Sequence, residues 1–422
     1  MGQRLIYLTR GQRTMVVRWP QKLRTLLVAF IPQRLMTGRL RSVKMLKLLH
    51  AIYDRKSPLP QNEGYYHEIL KSAQSGLISS QLYYLVTIQN LTSQVPSFFL
   101  QALKERAMQN LFISTLIQKE LDPILDQFER QNIEVMPLKG LLFAEKYFGS
   151  RVARGTSDID LLVKPVQLDQ AIQLVNSLGF TSVVQYEPEH FHKVFAKKMP
   201  QFHFHLNVEI HWQFLREKTS SLDMDLIWRD STQLRQWRYV REPSDFHAFY
   251  LTCLHGWNHE LISWKYFIDI IQMIHALNDQ LSYKDLFSFA REQKTYRRIA
   301  HTLIIVYHEF PHLNERLPLT LKADSTFWWN ASDLSSDHRL KATMRVLIKR
   351  VRQIGDYDNW RQKWVFLKRV ALPDPVIMAR IIGSDKMRLP RLAQYILFLF
   401  KCFTEIMRSI PAFFSSLRKR NT

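Results

Sequence analysis

The sequence contains little cysteine and glycine and has no long apolar run. Its 422 residues include two cysteines, Cys253 and Cys402, which are far apart and lack a CxxC spacing. This excludes a disulfide scaffold and a thiolate metal site, and it is typical of a reducing compartment. Twelve glycines argue against a glycine-rich repeat. No stretch reaches the roughly 20 apolar residues that span a bilayer, so we expect no transmembrane segment.

Three sequence motifs of phosphate and ester chemistry are also missing. The chain has no G-x-x-x-x-G-K-[ST], no G-x-G-x-x-G and no G-x-S-x-G. These motifs mark P-loop proteins, Rossmann domains and α/β-hydrolases, respectively. Their absence argues against all three classes.

Acidic residues are scarce at both ends of a chain whose formal net charge is +22. Residues 1–53 hold eleven Lys and Arg and no acid, and residues 386–420 hold eight against one acid, Glu405. A positive field attracts polyanions. An anionic membrane surface or nucleic acid is therefore a candidate partner of the basic ends, and a solvated leader is the simpler interpretation of residues 1–53. We expect a cytoplasmic protein that can bind peripherally to a membrane.

The spacing of apolar residues predicts helices at both ends of a small α/β core. Strand-like runs occur at "NIEVMPLKG", at "DIDLLV", at Phe180–Gln185 and at Phe202–Phe214, with helices between the first three. This order predicts an α+β fold with a small mixed sheet, N-terminal helices and a helical C-terminal lobe. The predicted regions are a basic leader (1–53), a helical region (54–131), the α/β core (132–221), a helical lobe (222–385) and a basic amphipathic segment (386–422).

Two aspartates stand at the start of the apolar run "DIDLLV" (Asp158–Val163). Side chains alternate along a strand, so Asp158 and Asp160 share one face while Ile159 and Leu161 point to the core. Their alpha carbons are then roughly 7 Å apart, at about 3.3 Å per residue. Two carboxylates on one face can hold a hard divalent cation through oxygen ligands. The run therefore predicts a metal site.

A third acid comes from the strand-like run "HLNVEIHW" (His205–Trp212). If this run pairs with "DIDLLV", Glu209 joins Asp158 and Asp160 in one cluster. Nucleotidyl or phosphoryl transfer uses such a cluster, because metal ions held there neutralise a triphosphate and activate a hydroxyl.

A phosphate-binding turn is predicted at "PLKG", where a strand ends, a glycine follows and a helix begins. Backbone N–H groups at the start of a helix bind phosphate oxygens, and Lys139 beside Gly140 adds a positive charge. Arg154 and Ser157, in the loop before the aspartates, complete the predicted nucleotide-binding set.

The order "PLKG…R…SDIDLLV…LGF…VEIHW" resembles the nucleotidyltransferase superfamily with a DNA polymerase beta-like palm, in particular a bacterial group of nucleotidyltransferase family proteins. The match covers roughly residues 60–300. The resemblance implies that Gly140, Asp158, Asp160 and Glu209 bind Mg²⁺ (or Mn²⁺) and an NTP, with ATP as the expected donor. It also implies transfer of a nucleoside monophosphate to a hydroxyl acceptor, whose identity the sequence does not give.

Two other functions stay open at this point. One is a non-catalytic nucleotide- or nucleic-acid-binding protein on the same scaffold, which the basic ends favour. The other is a metalloenzyme with a His/carboxylate site. Its candidate ligands are His203, His205, His211 and Glu209. A separate candidate for metal binding is the pair His255 and His259, which are four residues apart and so lie on one face of a helix.

Overall fold

The computed structural model describes residues 7–9, 12–14, 44–76, 78–183, 191–199, 204–216, 218–321, 353–372 and 375–418. Near the N-terminus, β1 (Tyr7–Thr9) and β2 (Gln12–Thr14) form an antiparallel hairpin. Most of the predicted basic leader lies outside the described residues.

The N-terminal region is helical, as its apolar spacing predicts. Residues 44–53 are helical, followed by α1 (Glu63–Gly76), α2 (Ser79–Ile88) and the long α3 (Ser97–Arg130). The first half of α3 packs against α1 and α2, and its second half packs under the sheet. This helix therefore connects the two larger hydrophobic cores of the described part of the chain.

The α/β core contains a five-stranded mixed sheet. Its strands are β3 (Val135–Pro137), β4 (Asp158–Val163), β5 (Thr181–Ser182), β6 (His192–Met199) and β7 (Phe204–His211). The spatial order is β3-β4-β7-β6-β5, with β4 and β7 parallel and the other neighbours antiparallel. The α+β fold with a small mixed sheet is thus confirmed.

Short helices connect the strands. Helix α4 (Leu141–Phe148) follows β3, and α5 (Leu168–Ser177) follows β4 after a 3₁₀ turn at Pro165–Gln167. Both helices end near glycines with positive φ, Gly149 and Gly179, as their sequences predict. The run predicted as a strand at Phe180–Gln185 forms only β5, and its last two residues lie outside the described part.

The helical lobe follows the sheet. It comprises α6 (Met224–Arg229), α7 (Asp245–Asn258), α8 (Trp264–Leu277), a 3₁₀ turn (Asn278–Gln280), α9 (Tyr283–Glu292), α10 (Tyr296–Glu309) and α11 (Leu313–Arg316). A small antiparallel pair, β8 (Thr232–Gln233) and β9 (Arg241–Glu242), lies next to β3.

The C-terminal part of the chain adds further helices. They are a 3₁₀ turn (Ile354–Asp356), α12 (Trp360–Ala371), α13 (Pro375–Ile382), a second turn (Ser384–Arg388) and α14 (Arg391–Arg418). In the described ranges, no helix combines the length and the apolar character needed to cross a membrane.

Strand β4 of the sheet is buried on both faces, which the sequence did not lead us to expect. On one face, Ile159 and Leu161 belong to the core formed with α3 and α5. On the other face, Met136 and Leu162 belong to the core of the helical lobe. All six residues of β4 are therefore buried, and the carboxylate face lies beneath the lobe instead of facing solvent.

Candidate active site

The pairing of β4 with β7 brings the three predicted acids to one place in the sheet. Asp160 is the register partner of Glu209, and Asp158 is the partner of Asn207. Asp158, Asp160 and Glu209 are each at most 4% exposed. Carboxylates that are almost completely buried need charged or hydrogen-bonding partners, so their surroundings determine what the site can do.

A possible metal-binding group lies at this position. Among the residues that the structure describes, Asp160, Glu209 and His211 offer ligand atoms within 4.8 Å of one another. His211 Nε2 lies 3.3 Å from Asp160 Oδ1 and 3.5 Å from Glu209 Oε2. Two carboxylates and an imidazole suit a divalent cation. Asp158 is buried nearby but is not in this group.

The two carboxylates also determine the charge of His211. Burial by itself would lower the pKa of this imidazole. Hydrogen bonds to Asp160 and Glu209, together with their negative charges, outweigh burial and raise the pKa above its ordinary value. His211 was considered in the sequence only as a ligand of a transition-metal site. Its position two residues after Glu209, on the same face of the strand, is the signal that places it with the acids.

Lys139 lies beside the same carboxylates. Its Nζ is 3.3 Å from Asp160 Oδ2, and its side chain is largely buried. The backbone N–H of Leu138 donates to the carbonyl of Asp160 at 3.1 Å, which extends the pairing of β3 with β4 past the end of β3. The "PLKG" turn is therefore held directly against the aspartate strand.

Gly140 caps the start of α4 in a conformation that other residues rarely adopt. Its φ is +81° and its ψ is −136°. A Cβ at this position would lie 3.7 Å from Thr156 Oγ1, which is an ordinary contact. The requirement for glycine therefore comes from the backbone angles and not from lack of space.

Thr156 is a neighbour of the site that the sequence reasoning missed. Its hydroxyl donates to the backbone carbonyl of Asp158 at 3.1 Å and lies 3.5 Å from Asp158 Oδ1. The predicted Ser157 is the next residue, and it is exposed. Threonine hydroxyls often form hydrogen bonds with backbone groups of nearby residues, and this is the local signal for Thr156 in the sequence.

The loop before β4 is fixed by helix α8. Arg154 forms a bidentate pair with Asp269, with Nε–Oδ1 and Nη2–Oδ2 distances of 2.8 and 2.9 Å. Lys265 Nζ donates to the carbonyl of Gly155 at 2.8 Å, and Gln81 Nε2 donates to Asp269. Arg154 is thus directed to the helical lobe, and its part in binding a triphosphate stays a prediction.

A small cavity opens between the "PLKG" turn and the helical lobe. It is lined by Leu138, Lys139, Phe143, Phe214, Leu251, Thr252, His255 and Asp269. The cavity reaches from the lysine beside the carboxylates to the helix that holds Arg154. Its lining is half apolar and half polar, and the polar residues are Lys139, Thr252, His255 and Asp269.

The other described histidines of the metalloenzyme hypothesis do not belong to this group of possible metal ligands. His205 is exposed, and His203 lies outside the described residues. The rings of His255 and His259 pack against each other and against Tyr266, with centroids 4.5 to 5.3 Å apart. These two histidines therefore form part of an aromatic cluster in the lobe.

Comparison with known protein families now gives the class of the protein. The sequence profile of a family described as "Uncharacterised nucleotidyltransferase" matches residues 63–311. The chain belongs to this nucleotidyltransferase family. The match spans α1 to α10 and includes every predicted site residue, which confirms the resemblance that the motifs indicated. Membership of a nucleotidyltransferase family makes the protein a transferase.

Two further comparisons add little to the nucleotidyltransferase assignment. No curated protein sequence matches the chain. Among solved structures, the solution structure of the antibiotic-resistance factor ANT(2'')-Ia is similar with 16% sequence identity and a TM-score of 0.30. The similarity covers 43% of this chain and 93% of that one. A TM-score that low supports no inference about this nucleotidyltransferase.

Proposed function

We propose that the protein is a Mg²⁺-dependent nucleotidyltransferase that moves a nucleoside monophosphate from an NTP, with ATP as the donor, to a hydroxyl acceptor. The observation that supports this proposal most strongly is that Asp160 and Glu209 lie opposite each other in neighbouring strands, beside the "PLKG" turn. We further propose a cytoplasmic location, where ATP and Mg²⁺ are abundant. The acceptor stays open.

The proposed reaction is a displacement at the α-phosphorus of the nucleotide. The acceptor oxygen forms a bond to this phosphorus while the bond between the α-phosphorus and the bridging oxygen breaks. Pyrophosphate leaves with the electron pair, and the hydroxyl proton passes to a base. Glu209 is our candidate for that base, because it is the carboxylate supplied by the neighbouring strand.

Asp158, Asp160 and Glu209 are the proposed ligands of the metal, and Mn²⁺ can replace Mg²⁺. These carboxylates would hold a divalent cation, which would supply neutralisation of triphosphate charge and a lower pKa of the attacking hydroxyl. His211 touches two of the three carboxylates and holds their orientation. The donor set of carboxylate oxygens fits a hard cation, which supports this assignment.

Lys139, Gly140, Arg154 and Ser157 are the proposed nucleotide-binding residues. The N–H groups at the start of α4 and the Lys139 ammonium can bind phosphate oxygens. Ser157 is exposed in the loop before β4, where its hydroxyl can reach a bound ligand. Arg154 contributes by fixing this loop through its pair with Asp269.

The position of the radiolabel in ATP tests the type of transfer. Purified full-length protein is incubated with Mg²⁺, a cell extract and ATP that is labelled in either the α- or the γ-phosphate. We expect the α-label to enter an acceptor and the γ-label to appear only in pyrophosphate. Entry of the γ-label into an acceptor would show a kinase and contradict the proposal.

A transition-metal enzyme is a second candidate, because His211 Nε2 lies among the possible ligands. Imidazole nitrogen binds zinc and iron better than it binds magnesium. Elemental analysis of the purified protein separates the two candidates. Zinc or iron at one ion per chain would favour the second candidate, whereas a protein free of both metals that transfers nucleotide with Mg²⁺ favours the first.

A further inference from the structure

The C-terminal helix α14 has two different faces. Phe398 packs on Met378 and Ile382 of α13 and forms a small core with them. A second row of apolar side chains is 53% to 73% exposed, and it consists of Leu392, Ile396, Leu399, Phe400 and Phe403. At 3.6 residues per turn these five residues lie in one stripe about 100° wide, away from the side that packs on α13.

Such a stripe is unusual on a protein surface. Single exposed apolar residues are common, but contiguous apolar patches mark sites of interaction. The same spacing continues in the sequence through Met407, Ile410, Phe414 and Leu417. The stripe therefore belongs to a long amphipathic helix and is not confined to one turn.

The charge around the stripe indicates what it binds. Residues 360–403 contain nine Lys and Arg against two acids, Asp374 and Asp385. Arg388 and Arg391 are exposed at the start of α14, and residues 418–420 form a basic run in the sequence. A second copy of this chain would bring equal positive charges together, whereas an anionic surface complements them.

Nearby tryptophans agree with a lipid surface. Trp360 and Trp364 of α12 are 71% and 64% exposed. Tryptophan is enriched at the boundary between headgroups and acyl chains, where its ring is partly in contact with water. Nucleic acid would account for the basic residues, but it would leave the five apolar side chains of α14 without a partner.

We propose that α14 lies in the interface of an anionic bilayer and attaches the transferase to it. The apolar stripe enters the boundary between headgroups and acyl chains, and the flanking Lys and Arg contact anionic headgroups. The helix lies on the membrane without crossing it, in agreement with the lack of a membrane-spanning helix among the described residues.

Sedimentation with lipid vesicles tests this proposal on the full-length protein. We expect the protein to pellet at low salt with vesicles of equal parts phosphatidylglycerol and phosphatidylcholine, and not with pure phosphatidylcholine. The variant L392Q/I396Q/F400Q should lower the partition coefficient at least about tenfold, since it removes three apolar side chains from the interface. Glutamine is a good helix former, so an unchanged circular dichroism spectrum checks that α14 persists.

A matched control is the variant M108Q/F112Q on α3, whose wild-type side chains are 57% and 52% exposed. It should bind vesicles as the wild type does. Three results would overturn the proposal. They are a wild type that never pellets, a triple variant that pellets like the wild type, and a triple variant that loses only RNA binding or only self-association.

Discussion

Asp160 and Glu209 occupy the same register position in two neighbouring parallel strands, although they are far apart in the chain. Between them they contact His211, and Asp160 also contacts Lys139. The sheet thus gathers two negative and up to two positive groups in a buried place. Such a compact charged cluster is typical of a functional site.

Metal binding should depend on this pair of acids. We expect D160N and E209Q to bind Mn²⁺ at least ~10–100-fold more weakly than the wild type, because each variant removes a charged ligand. Titration calorimetry with MnCl₂ measures this loss. D225N, which changes an exposed acid in the first turn of α6, is the matched control and should bind as the wild type does. Equal affinity in D160N would remove Asp160 from the metal site.

The backbone at Gly140 should tolerate no side chain. We expect Gly140→Ala to reduce the free energy of unfolding by about 1–3 kcal/mol, because an L-residue is strained at its φ of +81°. Gly355→Ala is the control, since a Cβ there would meet no atom within 4 Å and no positive φ is involved. Denaturant unfolding compares the two variants. A loss of stability in G355A that equals the loss in G140A would contradict the argument from backbone strain.

The buried pair of Arg154 and Asp269 should be important for stability. The side chains are 1% and 3% exposed. Removal of one partner leaves an uncompensated buried charge, so D269N should cost about 3–5 kcal/mol. The exposed pair of Lys56 and Glu315 is the control, and E315Q should leave the free energy of unfolding nearly unchanged. Chemical denaturation measures both variants. Comparable losses of unfolding free energy in D269N and E315Q would contradict the claim that the buried Arg154–Asp269 pair stabilises the protein.

The protein should lose stability in mild acid through His275. Burial, followed by the charges of Arg316 and His312, lowers the pKa of His275 from 6.5 to about 4. The unfolded chain therefore binds a proton at a higher pH than the folded protein does. The stabilisation is fully present above pH 6.5 and is lost as the pH falls toward 4, on the order of 3 kcal/mol in total.

Unfolding at several pH values checks this prediction. The variant H275N should show a smaller decrease of the unfolding free energy between neutral and acidic pH. The control H205N changes an exposed histidine and should retain the wild-type slope. If H275N and the wild type have the same slope, His275 is not the group responsible.

Local sequence patterns predicted the parts of the site that depend on the alternation of side chains along a strand and on the glycine turn before a helix. The alternation in "DIDLLV" and "VEIHW" identified three acids, and the glycine after Lys139 located the start of α4. The functions of these residues and the division of the chain into five regions stay predictions. The presence of these strands and helices, however, follows directly from short-range chemistry.

Strand β6 and the pairing of Arg154 could not be predicted in the same way. The run "HKVFAKKM" is rich in lysine, and one of them, Lys197, pairs with Glu120 of α3. Arg154 pairs with Asp269, which lies far along the chain in the helical lobe. Both features depend on contacts between distant segments, for which a single sequence carries no local signal.

The most direct test of the proposed function compares wild type, D160N and E209Q in the transfer of label from α-labelled ATP in the presence of Mg²⁺. We predict a labelled acceptor with the wild type and at least about a hundredfold slower labelling with each variant, at unchanged circular dichroism and thermal unfolding. Labelling by either variant at the wild-type rate would contradict the assignment of this carboxylate pair as the centre of nucleotidyl transfer.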